Sequence, residues 1–399
     1  MKLKKSPCSA DVVSVGQMIS IRISSDVPRA PSTEPRLLLL PETEAMADIL
    51  VDVLAEHNIS FDCQDGLIVT STPGGKGRTV ALLRQVLSEP ARRAVGVVGA
   101  TRNGFPVSRH LDDWWRMNET GWFDRALAED RFETWFQPVV DTTENRVFAH
   151  ECLIRLNGTR LHSGAEIVEA AKLRGELQSF DGHSRRLALR SAARVTGKGR
   201  FFVNFVPATI YSADSCLREV CDELEFNGLQ RRQIVLEAVD TELVSDRTHL
   251  RWIADHCRRN EIGFSLDDAD GGSLRLIADL KPDFVKLHRR LVEEIERPAQ
   301  AATVRRLVAA AGQCGSLVVA KGVEKTRTME NLWLLGVQCM QGYLFGRPVP
   351  GIDMWAGVSS NDLMRIGRSL GTWANGPGFA LESAPAPPVE CENVHQATF

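Results

Sequence analysis

The sequence has no excess of charge of either sign: 48 Lys and Arg stand against 51 Asp and Glu, a formal net charge of -3. That balance removes any global electrostatic case for nucleic acid or an anionic membrane as partner, so partners must be argued from local sites. Paired cysteines are missing too. The nine cysteines (Cys8, Cys63, Cys152, Cys216, Cys221, Cys257, Cys314, Cys339 and Cys391) are scattered singly with no CxxC. This points away from a zinc site or a disulfide framework and suits a reducing cytoplasm. No apolar run approaches the roughly 18 residues of a membrane span, and the polar start lacks the apolar segment of a signal peptide. The expectation is a soluble cytoplasmic protein. What is present is 399 residues with 43% hydrophobic content, enough for one large domain and a smaller one.

Residues 1–34, rich in Ser, Pro and charge without periodicity, read as a flexible leader. From RLLLL (36–40) the pattern changes to strands and amphipathic helices, ending at AVGVVGA (94–100), so residues 35–100 form a small α/β domain. Within it RTVALLRQVLSEP reads as one helix, and STPGGKGRT invites a phosphate-loop reading. The required spacing fails, because Lys76 is followed by Gly77 and no glycine stands five residues before Gly75, which leaves a plain strand-turn-helix connection. Residues 101–117 read as a linker carrying a short helix, with Trp114 and Trp115 as packing anchors.

The larger domain is expected over 118–365, with 366–399, containing GPG and APAPP, as a disordered tail. NETGWFDRALAEDRFE reads as a helix leading into the first of eight strands at 134–140, 146–153, 201–205, 233–237, 262–267, 283–287, 316–320 and 338–341. Helical stretches separate most of them, which predicts a (β/α)8 barrel. DTTENR between the first two strands is too short for a helical crossover, so that pair is expected to be antiparallel. The predicted fold class is thus α/β, a modified TIM-like barrel with one antiparallel strand, preceded by a small α/β domain.

In a barrel the C-terminal strand ends face the active site. Here they carry Glu151, Asn204, Glu237, the pair Asp267 and Asp268, Lys286, Lys321 and Gln341. One such residue alone is more often a loop cap or an ion-pair partner. Four carboxylates and a carboxamide on one mouth repel unless cations neutralise them, and oxygen-only donors favour Mg²⁺ or Mn²⁺ over zinc. Two such ions would clamp a phosphodiester and ionise a bridging water for in-line attack.

These residues carry a family resemblance. ECLIR (151–155) resembles the ExLxR signature of the EAL domain, the bacterial cyclic di-GMP phosphodiesterase family. FVNFVP (202–207) resembles its Asn-bearing strand, VLEAVD (235–240) its LExTE element and SLDDADGG (265–272) its DDFG segment. FVKLH (284–288) is similar to its KID, AKGVE (320–324) to its AEGVE and QGYLFGRPVP (341–350) to its QGYLFGRP ending. The resemblance implies that Glu151, Asn204, Glu237 and Asp267 ligate a metal ion, Mg²⁺ or Mn²⁺, and that Asp268 ligates a second. It implies that Arg155 pairs with a substrate phosphate, that Lys286 orients the attacking water, and that Gln137 and Gln341 line the site. Cyclic di-GMP is the implied ligand, with a homodimer through the barrel domain; the small N-terminal domain, outside the resemblance, is a candidate module for a protein partner.

Four positions depart from the family pattern. Lys321 stands where the family has a glutamate that serves the nucleophilic water, His288 replaces the Asp of KID, Asp240 shortens the second Glu of LExTE, and the loop after Asp268 is contracted. A lysine acts as a base only if its pKa falls by several units, and neighbouring carboxylates push it the other way. Lys321 is therefore expected to be an internal counter-ion that competes with metal. Two functions remain open: a phosphodiesterase hydrolysing cyclic di-GMP to linear pGpG with reduced or lost activity, or an inactive domain that binds cyclic di-GMP or a protein partner.

Overall fold

A computed structural model describes residues 36–351, apart from 65, 72–75, 101–105, 157, 159–160, 196–198, 211 and 242–246. The expected leader and tail, and the glycine-rich turn before Lys76, lie outside the described residues. The chain divides into two compact units, the first ending at Arg125 and the second starting at Ala126. Among the described residues, no helix is long and apolar enough to cross a membrane.

The first unit is built on a five-stranded sheet of β1 (Arg36–Pro41), β2 (Phe61–Gln64), β3 (Leu67–Ser71), β4 (Val95–Ala100) and β5 (Pro106–His110). The strand order is β2-β3-β1-β4-β5, and every pair is antiparallel. Among the described residues, four helices accompany the sheet: α1 (Glu44–Glu56), α2 (Lys76–Val86), α3 (Glu89–Arg93) and α4 (Leu111–Glu119). Thr43 starts α1 by accepting the amide of Met46, which satisfies one of the helix's unpaired first-turn donors. Leu37 and Leu39 share one face of β1 and pack with Leu50, Leu54, Val80, Leu83 and Val97 in the core.

Two expectations for this region change. The single helix read over 78–90 is two, because Ser88 caps a new helix by accepting the amide of Ala91, with Pro90 in the first turn of α3. The segment read as a linker carries the expected short helix, α4, and also supplies β5. Residues 106–110 pair with β4, Leu111 is buried, and Trp114 and Trp115 pack on the unit's core as the anchors expected. Asp112 accepts hydrogen bonds from both Arg84 and Arg92, which ties α4 to the two preceding helices.

A short helix, α5 (Trp122–Ala128), precedes the barrel. The barrel strands are β6 (Phe132–Asp141), β7 (Arg146–Leu156), β8 (Arg200–Phe205), β9 (Ile234–Ala238), β10 (Gly263–Ala269), β11 (Phe284–Leu287), β12 (Leu317–Ala320) and β13 (Cys339–Gln341). They run in sequence order, and β13 pairs back onto β6 to close the ring. β6 is antiparallel to both neighbours, and the remaining pairs are parallel. A two-residue β14 (Val349–Pro350) adds to the far end of β6. The eight strands lie within a few residues of their expected bounds, including the antiparallel first pair.

Among the described residues, eight helices dress this ring: α6 (Gly164–Leu173), α7 (Leu177–Arg194), α8 (Ala213–Asn227), α9 (Arg247–Arg259), α10 (Leu274–Leu280), α11 (Arg289–Glu293), α12 (Pro298–Gln313) and α13 (Thr326–Leu334). Outward residues of β8 and β9, such as Val203, Phe205 and Leu236, pack against Leu189, Leu217, Val220 and Ile253. Those of β11 to β13 pack against Val304, Leu307, Met329 and Leu332.

The interior is a separate layer, in which Val139, Phe148, Ala149, Phe202, Val235, Phe284, Val319 and Cys339 fill the ring. Side chains alternate along a strand with period two, so the next inward position towards the mouth is two residues on, or two residues back on the antiparallel β6. Those positions are Gln137, Glu151, Asn204, Glu237, Lys286, Lys321 and Gln341, with Asp267 following the inward Ser265. An apolar plug thus sits directly below a ring of polar side chains.

Candidate active site

The polar ring organises around two lysines. Lys286 is completely buried, with Nζ 2.9 Å from Glu151 Oε2 and 2.6 Å from Glu237 Oε2. It also lies 4.8 Å from the centre of the Phe202 ring in the plug. Burial penalises this ammonium, but the Glu151 and Glu237 carboxylates outweigh that and hold its pKa above a lysine's ordinary value.

The two glutamates that share Lys286 titrate in opposite directions. Glu151 also accepts hydrogen bonds from Gln341 Nε2 at 2.8 Å and Asn204 Nδ2 at 3.1 Å. Burial pushes Glu151 up, yet the lysine and these donors overcome it and bring the carboxyl down to about 2. Glu237 has Lys286 but not the two amide donors, so desolvation dominates and holds its carboxyl well above the usual range. Gln341 Nε2 is shared with Gln137 Oε1 at 3.0 Å, and Gln137 Nε2 donates to Gly346 O at 3.1 Å, which fixes β6 and β13 to the loop after Gln341.

The second lysine, Lys321, follows β12 immediately. Its Nζ lies 2.8 and 2.9 Å from the two carboxylate oxygens of Asp267 and 2.7 Å from Asp268 Oδ1. Both aspartates reach the mouth because β10 bulges between Leu266 and Ala269, with Asp268 in the left-handed region at φ 51°. Asp267 is mostly buried, whereas the Asp268 side chain is 56% exposed. Burial opposes the charge on Lys321, but the two carboxylates prevail and raise its pKa.

The other residues expected to depart from the family pattern make contacts of their own. His288 is exposed and caps α11 by accepting the amide of Arg290. Asp240 pairs with Lys172 of α6 at 2.5 Å. The loop after Asp268 is held by its own turn, in which Asp270 Oδ1 accepts the amide of Gly272 at 2.9 Å and the hydroxyl of Ser273 at 3.1 Å. Arg155 shares a face of β7 with Glu151, donates to the carbonyl of Ile154, and makes no ion pair with a carboxylate among the described residues. Burial lowers its pKa, with the charges of Glu151 and Tyr343 working against that shift.

Residues 121–348 match the model of the EAL domain. The chain belongs to the EAL domain family. The probable cyclic di-GMP phosphodiesterase PdeD of Escherichia coli is 24% identical over 241 residues, 59% of this chain and 45% of that protein. The chain spans about half or less of the length of the curated relatives it matches first. A standalone versatile EAL protein from Vibrio cholerae O395, solved in its c-di-GMP-bound form, is 25% identical with a TM-score of 0.51, covering 55% of this chain and 93% of that one. The manganese and cy-diGMP complex of Klebsiella pneumoniae BlrP1 shares the fold at 21% identity and a TM-score of 0.50, covering 81% of this chain and 97% of that one.

The strand ends of the barrel bring Glu151, Asn204, Glu237, Asp267, Asp268, Lys286, Lys321 and Gln341 to one mouth, and Gln137 joins them from within β6 through Gln341. Whether its donors fit metal ions depends on position. The inner group offers oxygens of Glu151, Asn204, Glu237 and Asp267, and Asn204 Oδ1 is buried without a hydrogen-bond partner, a donor set that fits one hard ion in kind. A second ion at Asp267 and Asp268 would have to displace Lys321, which contacts both, whereas the inner ion would share its carboxylates with Lys286. Among the described residues, no three carboxylate, imidazole or thiolate groups form a ready metal cage, since the carboxylates are turned onto the lysines.

One positioning residue escaped the sequence reading. Asp181, buried in α7, accepts the amide of Val206 at 3.0 Å and the hydroxyl of Thr209 at 2.9 Å, and pairs with Arg185. It fixes the turn that begins two residues after Asn204. A charged residue on the apolar face of SFDGHSRRLALRSAARV was the available signal.

Proposed function

We propose that the mouth of the EAL barrel binds cyclic di-GMP in a cytoplasmic signalling protein whose hydrolysis of that ligand to linear pGpG is reduced or lost. The observation that carries this reading is the contact of Lys321 with Asp267 and Asp268. Family membership supports the ligand, as do the phosphodiesterase name of the Escherichia coli relative and the bound ligand of the Vibrio cholerae structure.

Each side chain has a part in this reading. Arg155, a planar donor with no carboxylate partner among the described residues, suits a phosphate oxygen of the ligand. Glu151, Asn204, Glu237 and Asp267 would hold one Mg²⁺ or Mn²⁺ ion, which would supply Lewis-acid activation of a water. Lys286 keeps Glu151 and Glu237 in place while balancing their charge, and Gln341 and Gln137 orient Glu151. Hydrolysis also needs a group to receive the water's proton. An ammonium held protonated by two carboxylates has no lone pair to offer at neutral pH, so Lys321 cannot fill that role. A homodimer through the barrel and a protein partner for the N-terminal unit belong to the same proposal.

Conversion of cyclic di-GMP to pGpG with Mg²⁺ or Mn²⁺, in wild type and in Lys321→Glu, tests this. Little or no turnover in wild type and measurable turnover in the variant are expected. Robust wild-type turnover would overturn the reduced-activity reading. Calorimetric titration separates a receptor from a protein-interaction module: no binding with or without metal would leave only the module.

A further inference from the structure

Lys321 Nζ has carboxylate oxygens at 2.7, 2.8 and 2.9 Å from two residues on one bulge. An ammonium carries three N–H donors and no acceptor, and here it finds oxygen partners on both aspartates. The lysine does not snorkel away, for its side chain is only 23% exposed. Resting on the proposed function, we propose that Lys321 is a built-in cation at the Asp267 and Asp268 pair. The mouth then takes at most one divalent ion and holds a phosphodiester of cyclic di-GMP without requiring any.

The charge balance of the ring supports this. Glu151, Glu237, Asp267 and Asp268 face Lys286 and Lys321, which leaves two negative charges with all six groups ionised. A glutamate in place of Lys321 would leave four, and a dianionic ligand would approach such a mouth only with added cations. With Lys321 in place, much of that neutralisation is already covalently attached to β12. Arg155 adds a further positive group on the face of β7 that carries Glu151.

The geometry also supplies a way to admit a phosphate. Asp267 is largely buried and grips the ammonium with both oxygens, so it keeps Lys321 in the mouth. Asp268 is more than half exposed and is the partner that solvent can take over. A phosphate oxygen replacing Asp268 on Nζ exchanges one anionic acceptor for another and leaves the Asp267 contact intact.

Two measurements on the full chain test the assignment. Free Mn²⁺, followed by electron paramagnetic resonance during titration, counts ion sites in the absence of dinucleotide. At most one site is expected in wild type, with one more in Lys321→Glu. Calorimetric titration with cyclic di-GMP in EDTA and in Mg²⁺ reads the second half. Wild type is expected to bind equally well in both, whereas Lys321→Glu is expected to bind about tenfold or more weakly in EDTA than in Mg²⁺.

Two Mn²⁺ sites in wild type, or wild-type binding that disappears in EDTA, would each overturn the proposal. The wild-type arms decide this even if the variant fails to fold. If wild type binds no cyclic di-GMP in either buffer, the proposed function fails together with the phosphodiester claim. The manganese count still judges Lys321 as the resident cation.

Discussion

Lys321 grips both carboxylate oxygens of Asp267, at 2.8 and 2.9 Å, although 54 residues separate the two along the chain. The contact joins the end of β12 to the bulge of β10 across the mouth, passing over β11 and its own lysine. Four carboxylates on β7, β9 and β10 therefore face two ammonium groups on the adjacent β11 and β12, and the stability of the site and its chemistry share the same charges.

Removing Lys286 should be costly. It lies wholly buried between Glu151 and Glu237, and its loss leaves two buried carboxylates uncompensated. Lys286→Met is expected to lose about 3–5 kcal/mol of unfolding free energy in urea titrations. Adding Glu237→Gln should restore part of that. A single variant as stable as wild type would contradict the buried triad.

The acid limb of stability should depend on Glu151. Its folded pKa, near 2, lies below its ordinary 4.5, so its contribution is full above 4.5 and is lost as pH falls from there towards 2. Glu237 has the opposite sign: its raised folded pKa makes its contribution shrink as pH rises above 4.5. Denaturant midpoints across this range should change less steeply below pH 4.5 in Glu151→Gln than in wild type. Identical slopes would refute the assignment.

Gly342 tolerates no side chain. A Cβ there would meet the carbonyl oxygen, nitrogen and carbonyl carbon of Val323 at 2.0, 2.3 and 2.6 Å. Val323 cannot yield freely, because its amide donates to Gln341 O and its carbonyl accepts from Leu344 N. Gly342→Ala is expected to cost about 1–3 kcal/mol or more. It should also weaken cyclic di-GMP binding, since Val323 is two residues past Lys321 and Gly342 follows Gln341. Unchanged melting temperature and affinity would show that the backbone relaxes there.

Asp181 should behave as a positioning residue. Asp181→Ala leaves Arg185 buried without its carboxylate and frees the amide of Val206, for an expected loss of about 3–5 kcal/mol. Asp181→Ala combined with Arg185→Met should be less destabilised than the single variant in the same urea titration. Equal losses would mean that the buried charge is not the cause.

The eight strands were legible because each is a short apolar run that ends on a polar residue. A two-residue step from an apolar to a polar inward position, as from Val235 to Glu237 or from Val319 to Lys321, is written directly into the sequence. The tight turn before β7 likewise revealed the antiparallel pair. Local pattern missed the strand at 106–110, where a segment with weak periodicity gained its structure by pairing with β4.

By itself, then, the sequence determined the barrel, the order of its strand ends and the presence of a lysine at 321. Only the tertiary structure decided which carboxylate each lysine holds. Barrel closure sets those contacts: Gln341 meets Glu151 across 190 residues, Lys286 meets Glu151 across 135, and a single bulged residue aims Asp268 at Lys321. Partner choice among like-charged side chains depends on distances of tenths of an ångström and on burial, and neither is carried by residue type or spacing.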